Sequence, residues 1–235
     1  MEGQEYKADQ FERTVMLLGK EAKSRLAAAK VAVFGLGGVG GSCAEALARS
    51  GIGYIDLYDN DVVSLTNLNR QVVALHSTIG RLKVDVMAER LLDINPEIRT
   101  GSYNLFYLPE TADEVDLGGY DYVADAIDNI TGKIELIVRA KEAGVRIISS
   151  MGAANKLDPT CIAVTDVFKT ENDPLAKVIR RELRTRGIAG LKVVWSKETP
   201  VAASPSRRPP ASCAFVPPVF GLILAGEVVK DIASS

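Results

Sequence analysis

The sequence predicts an α/β fold built on a doubly wound, mostly parallel sheet. Three observations carry that prediction: a continuous apolar run at residues 31–34, a glycine-rich turn directly after it, and helical and strand-like stretches that alternate from there to residue 150. A chain of 235 residues, 47% apolar and 25% charged, can bury the core such a sheet needs.

Each element follows in order. Residues 1–29 read as a helical arm, because Phe11, Val15, Leu18, Ala22 and Leu26 recur near helical spacing among charges. Residues 31–34 are a buried strand, residues 42–49 an alanine-rich helix closing at Ser50-Gly51, and residues 54–58 a second strand. Together they make a βαβ unit, so the fold is Rossmann-like. Residues 79–94 are helical in period (Val84, Met87, Ala88, Leu91, Leu92) and stop at Asn95-Pro96; residues 122–127 are a strand. A helix at 134–143, ended by Gly144, and a strand at 145–148 complete a core at residues 30–150. The remainder, 151–235, is a C-terminal extension of the same domain with mixed strands and helices: a strand near 162–164, a basic helix at 174–186, a strand near 193–195 and an apolar helix at 220–232. Residues 200–212, rich in Pro, Ser, Ala and Arg without periodicity, are expected to form a mobile loop.

Composition narrows the setting. The longest apolar run, 214–226, is too short to span a membrane and contains Pro217 and Pro218, and no N-terminal signal-peptide layout is present. A cytoplasmic protein without a membrane partner is expected. Cys43, Cys161 and Cys213 are odd in number and scattered, which excludes a disulfide framework and a Cys-x-x-Cys zinc site. The net charge of -2 hides a split: residues 1–130 hold 12 Lys+Arg against 20 Asp+Glu, and residues 131–235 hold 16 against 10. The basic half suits a polyanion, or its helices simply differ in surface charge.

The turn Gly35-Leu36-Gly37-Gly38-Val39-Gly40-Gly41 follows a strand and opens a helix, so its glycines serve a tight turn, close approach to phosphate, and helix packing. Asp59 ends the second strand 19 residues after Gly40, where an acid takes a ribose hydroxyl. These features alone favour NAD. The run from Asp59 and Asp61 through Asn67 to Arg70 and Gln71 is too polar for a strand and too long for a minimal turn. Asn67 and Arg70, three apart, project the same way from one helical turn, and Lys83 follows. Converging cations suit a triphosphate, whose departing pyrophosphate accumulates charge. Asp128, beside Asn129 at the carboxyl edge of the sheet, is placed to hold Mg²⁺ against phosphate oxygens.

Gly35-x-Gly37-Gly38-x-Gly40, the Asp59-x-Asp61 to Asn67-x-x-Arg70-Gln71 run, Lys83 and Asp128-Asn129 resemble the adenylating core of ubiquitin-activating-type enzymes, including the molybdopterin- and thiamine-pathway activators. The resemblance implies ATP and Mg²⁺, attack of a carboxylate on the α-phosphate, and a homodimer. It also implies roles: Asp59 on the ribose, Asn67, Arg70 and Lys83 on the phosphates, and Asp128 at the metal and reaction centre. Arg13, in Phe11-Glu12-Arg13-Thr14, matches an arginine lent to the neighbouring subunit's ATP.

The second half decides whose carboxylate is activated. Activators of sulfur-carrier proteins typically carry two Cys-x-x-Cys pairs, and this chain has none. Residues 149–160, residues 173–184 and the stretch from Ala214 through Pro217-Pro218 to Gly226 resemble instead the tRNA threonylcarbamoyladenosine dehydratase family. That resemblance implies ATP-dependent activation of the threonyl carboxylate on a modified adenosine of tRNA, with loss of water and ring closure. Lys177, Arg180, Arg181 and Arg184 fall on one helix face, with Arg186 beside them and Arg207-Arg208 in the loop, as a tRNA contact or a solvated helix face. Cys213 is a second candidate for chemistry, as a thioester former, although a ring closure by an internal atom needs none. No role is assigned to His76 and no sulfur-transfer partner is identified. Activation of a ubiquitin-like carrier protein is the alternative, and an NAD-binding oxidoreductase or sensor is the third.

Overall fold

The computed structural model describes residues 9–201 and 210–235. One sheet of seven strands organises them: β1 (Lys30–Phe34), β2 (Tyr54–Tyr58), β3 (Arg99–Tyr103), β4 (Tyr122–Asp125), β5 (Arg146–Ser150), β6 (Ile162–Asp166) and β7 (Lys192–Ser196). The order across the sheet is β3-β2-β1-β4-β5-β7-β6, all parallel except β6, which runs antiparallel to β7. Chain order reverses between β1 and β4, and a doubly wound sheet opens a crevice at such a switch point.

Two cores form because β1 is buried on both faces. Val31 and Val33 point into one core with Leu47, Ile55 and Leu224, while Ala32 and Phe34 point into the other with Val123, Leu136 and Ile179. This is why the strand reads as an uninterrupted apolar run. The first core is roofed by α2 (Lys20–Ala28), α3 (Gly38–Arg49), α4 (Lys83–Ile94) and α7 (Val216–Ala233); the second by α5 (Ile130–Glu142) and α6 (Pro174–Thr185). The predicted C-terminal helix is thus apolar because it is buried, with Phe220, Leu224, Val228 and Ile232 in the core. It approaches α3 so closely that a Cβ on Gly221 would lie 2.2 Å from the Val39 carbonyl oxygen. Among the described residues no helix is long and apolar enough to cross a membrane.

Several boundaries differ from the sequence prediction for physical reasons. The N-terminal arm is two helices, α1 (Glu12–Leu18) and α2, broken at Gly19, whose φ of 90° is left-handed. The helix expected from residue 79 begins at Lys83, because the preceding residues pair with the segment after β2: Leu82 bridges Val62, and Val63 N–H donates to the Arg81 carbonyl at 2.9 Å. Strand β4 stops at Asp125, and α5 starts at Ile130, where the Asn129 side chain accepts from Gly132 N–H at 3.0 Å. Strand β3 was not predicted: Arg99-Thr-Gly-Ser-Tyr103 is an edge strand without apolar alternation. Residues 202–209 of the expected loop, including Arg207 and Arg208, lie outside the described residues.

Candidate nucleotide-binding site

The site begins where β1 ends. Gly35 turns the chain with φ of 84°, and a Cβ there would lie 2.7 Å from the Ala126 carbonyl oxygen. A Cβ on Gly40 would lie 1.7 Å from the Gly35 carbonyl oxygen, so no larger residue lets α3 rest on β1. Gly37 caps α3 and, with Gly38, faces a cavity of about 620 Å³. The first N–H groups of α3 lack intrahelical acceptors and carry the positive end of the helix dipole, which suits them to phosphate.

This cavity sits at the carboxyl ends of the strands flanking the switch point. It gathers Gly35, Gly37, Gly38, Asp59, Asp61, Asn67, Arg70, Gln71, Lys83 and Asp128 into one lining. Gly40, Gly41 and Asn129 are not part of that lining: Gly40 and Gly41 pack the helix against its surroundings, a Gly41 Cβ meeting Val72 at 3.1 Å, and Asn129 caps α5.

Asp59 is oriented by two backbone donors, Leu36 N–H at 2.6 Å and Asp61 N–H at 2.8 Å. Its burial pushes the carboxyl above the ordinary range, against the pull of Lys83 and the two N–H groups. Lys83 is buried, with Nζ 2.6 Å from Asp61 Oδ2 and 3.9 Å from Asp59 Oδ1. Asn67 shapes the loop, its Oδ1 accepting from Ser64 N–H at 3.1 Å. Arg70, part of the lining, is held by two hydrogen bonds from Nη1, to the Thr66 carbonyl at 3.0 Å and to Asn69 Oδ1 at 2.8 Å. Gln71 is buried, and its Oε1 has no partner among the described residues.

Asp128 is exposed in the cavity on a segment braced from below. There Asp125 and Lys133 form a fully buried ion pair at 2.7 Å, Ser149 Oγ also donates to Asp125, and Asp125 Oδ1 accepts from Ile127 N–H at 3.0 Å. No group of three or more His, Cys, Asp and Glu able to hold a metal occurs among the described residues. Mg²⁺ needs only one or two carboxylates when phosphate oxygens and water complete its shell, so Asp128 fits a magnesium that arrives with phosphates.

Other predicted residues lie elsewhere. Arg13 is exposed on α1 and does not line this cavity. Lys177, Arg181 and Arg184 are exposed on α6, whose first turn reaches the cavity through Leu175. Arg180 is half-buried and donates to the Thr170 carbonyl at 2.9 Å; Arg181 pairs with Glu182 at 3.1 Å; Arg184 lies 5.3 Å over the Phe168 ring. Cys213 is half-buried beside Ser212, Cys161 donates to Asp158, and Cys43 is buried in the first core, where burial pushes its thiol pKa up.

Sequence reasoning missed the aromatic floor and the C-terminal wall. Phe34, Tyr58 and Tyr107 line the cavity, with Tyr58 stacked between Phe34 at 4.4 Å and Tyr103 at 4.5 Å. The hydroxyls continue inward: Tyr58 pairs with Tyr120 at 2.6 Å, and Tyr120 donates to Asp56 at 2.7 Å. Tyrosines closing strands next to a glycine turn were the available signal. The wall at residues 150–154 falls within the 149–160 stretch that carried the family resemblance, but neither it nor Pro210 and Ser212 was singled out as a binding wall.

Comparison with known proteins agrees with this geometry. The pattern that defines the ThiF family matches residues 11–234. The chain is 46% identical to the tRNA threonylcarbamoyladenosine dehydratase of Bacillus subtilis, across 95% of this chain and 94% of that protein. Crystal structures of the E. coli tRNA N6-threonylcarbamoyladenosine dehydratase in complex with ATP and with AMP align with a TM-score of 0.89 at 37% identity, covering 96% of this chain and 94% of theirs. A molybdopterin-synthase adenylyltransferase of Salmonella typhimurium is more distant, 33% identical across 73% of this chain and 67% of that protein. The chain belongs to the ThiF family, and within it to the tRNA threonylcarbamoyladenosine dehydratases.

Proposed function

We propose that this protein uses ATP to adenylate the threonyl carboxylate of N6-threonylcarbamoyladenosine in tRNA and so drives its dehydration to the cyclic form. The observation that carries the reading is the convergence of Arg70, Lys83 and Asp128 with the glycine turn on a single cavity. NAD supplies no leaving group for such cations to stabilise; ATP does.

In the first step a carboxylate oxygen attacks the α-phosphorus, a new carbon-bound oxygen–phosphorus bond forms, and the bond to the β-phosphate oxygen breaks to release pyrophosphate. In the second, an internal atom of the substrate attacks the activated acyl carbon and AMP leaves, carrying away the oxygen that is formally lost as water. The N-terminus of α3 and Gly37-Gly38 hold the phosphates, Arg70 and Lys83 stabilise the departing pyrophosphate, and Asp59 accepts from the ribose. Asn67 and Gln71 complete the phosphate end of the wall. Mg²⁺, held by Asp128, neutralises phosphate charge when bound.

The active unit is a homodimer in which Arg13 serves the neighbouring subunit's ATP. In support, Arg13 is exposed away from its own cavity on a helix with no buried residue, next to Met16 and Leu17, 81% and 83% exposed. An apolar pair on a helix otherwise without a core suits a two-fold contact. The tRNA lies along α6, which runs outward from the cavity at Leu175 and presents Lys177 and Arg184. Such an enzyme works where ATP and tRNA are, in the cytoplasm.

Incubation with ATP and tRNA bearing threonylcarbamoyladenosine, followed by nucleoside analysis and pyrophosphate measurement, tests the reading. The cyclic nucleoside with one pyrophosphate per product is expected. Pyrophosphate release only with a carrier protein ending in Gly-Gly, or NAD binding without ATP binding, overturns it.

A further inference from the structure

The residues assigned so far hold the nucleotide, and none receives the carboxylate that must meet it. The C-terminal part of the cavity wall holds a hydroxyl with no task. Ser212 lines the cavity, and its Oγ is buried with no hydrogen-bond partner among the described residues. A buried hydroxyl left unpaired is costly, so its partner is expected to arrive from the cavity.

The segment carrying Ser212 is fixed from two sides. On one, Asn155 adopts a left-handed backbone at φ of 58°; its N–H donates to the Ala211 carbonyl at 2.8 Å, and its Oδ1 accepts from Ala211 N–H at 2.9 Å. The Asn155 carbonyl also accepts from Val201 N–H at 2.7 Å, which ties a third strand of chain to the same point. On the other side Asn69 Nδ2 donates to the Ser212 carbonyl at 3.1 Å, while Asn69 Oδ1 accepts from Arg70. One asparagine therefore links Ser212 to the phosphate-handling arginine. Lys156 braces the adjoining loop: its Nζ donates to the Gly152 carbonyl at 2.6 Å and pairs with buried Asp173 at 3.3 Å.

We propose that Ser212 Oγ binds the acceptor carboxylate, donating a hydrogen bond to the oxygen that is not attacking phosphorus, with Asn155 and Asn69 as its positioning residues. The inference rests on the adenylation reading above. The required ligand chemistry is an anionic oxygen, which a phosphate of ATP also offers. The carboxylate is favoured because the phosphates have the glycine turn, Arg70 and Lys83, whereas Ser212 follows Ala211, which Asn155 ties to the loop after β5.

Ser212→Ala, Ser212→Thr and Asn155→Ala are compared with the wild type for ATP affinity by calorimetry, for kcat and KM with threonylcarbamoyladenosine-bearing tRNA, and for Tm. A hydrogen bond to a charged group implies that Ser212→Ala lowers kcat/KM for the tRNA by about 10- to 100-fold. ATP affinity is expected to stay within about twofold, and Ser212→Thr to recover most of the loss. Asn155→Ala is expected to show the same split between tRNA and ATP whatever its Tm. Unchanged kcat/KM in Ser212→Ala, or a matching loss of ATP affinity that marks a phosphate ligand, overturns the inference alone. Absence of turnover in the wild type overturns the adenylation reading and this inference with it.

Discussion

Lys83 Nζ lies 2.6 Å from Asp61 Oδ2, joining the first turn of α4 to the loop after β2 across the mouth of the cavity. The Lys83 N–H also donates to the Asp61 carbonyl at 3.0 Å, so both ends of the residue are held by the same partner. The ammonium is thereby fixed before any phosphate arrives, which is what stabilisation of developing charge requires. Lys83→Met is expected to lower ATP-dependent pyrophosphate release by about 10²- to 10³-fold. Asp61 is 61% exposed, so water takes up its released carboxylate, but buried Asp59 at 3.9 Å loses its cation as well, and Tm should also fall. Pyrophosphate release and Tm, measured on the same preparation, separate the two effects.

Asp59 links function to pH-dependent stability. Burial raises its pKa above the ordinary 3.8, so the folded protein holds that proton more tightly than the unfolded chain. Stability from this group is full below the unfolded value and is lost as pH rises through the folded one. Asp59→Asn removes that loss. It also sacrifices one of the two acceptors facing Leu36 and Asp61 N–H, a deficit that does not change with pH. The stability difference between variant and wild type should therefore move in the variant's favour as pH rises from the unfolded value of 3.8 through the raised folded value, and then level off. ATP affinity should fall by roughly tenfold, because a ribose hydroxyl loses a charged acceptor. Denaturation midpoints across that pH range check the slope, and calorimetry checks the affinity.

The glycine turn and the charges that share its cavity were legible in the sequence because residue type is constrained locally. Gly35 and Gly40 have no substitute where a Cβ would strike a carbonyl, and Asp59, Lys83 and Asp128 stand out as charges near the carboxyl ends of strands or the start of a helix. Strand β3 was not legible: an edge strand paired on one side needs no apolar alternation, and Thr100, Gly101 and Ser102 carry no strand signature. Nor was Ser212, whose meaning depends on Asn69 and Asn155 lying 143 and 56 residues away from the segment they fix. The basic face of α6 was right in its spacing but blind to partners. The same period places Arg180 on Thr170 and Arg181 on Glu182.

That last distinction divides the α6 stripe into two classes. Among the described residues Lys177 and Arg184 are the members without a side-chain hydrogen bond, Arg184 lying over Phe168, whereas Arg180 helps to anchor the helix to the turn at Thr170. Reversing Lys177 and Arg184 to Glu should weaken tRNA binding and reduce the steepness of its salt dependence by about one to two phosphate contacts, leaving Tm unchanged. Arg180→Glu should lower Tm, since Thr170 is left without its donor. Binding isotherms at several salt concentrations, with melting curves beside them, test both halves.

The sharing of Arg13 can be settled without a ligand-bound structure. If Arg13 acts across a two-fold interface, Arg13→Ala and Asp128→Ala each disable every site in their own homodimers. In a mixed dimer, the Arg13→Ala subunit keeps Asp128 and receives an intact arginine from its neighbour, so that site works; the other site lacks both groups. Random pairing of equal amounts makes about half the dimers mixed, with one working site of two, so co-expression should restore about a quarter of wild-type activity. An arginine acting within its own subunit predicts no recovery, because the chain with Asp128 then lacks the arginine and the chain with the arginine lacks Asp128. Sedimentation of the mixed sample must show the dimer for the result to count. Replacing exposed Met16 and Leu17 with Glu in both chains should abolish the dimer and the recovery together.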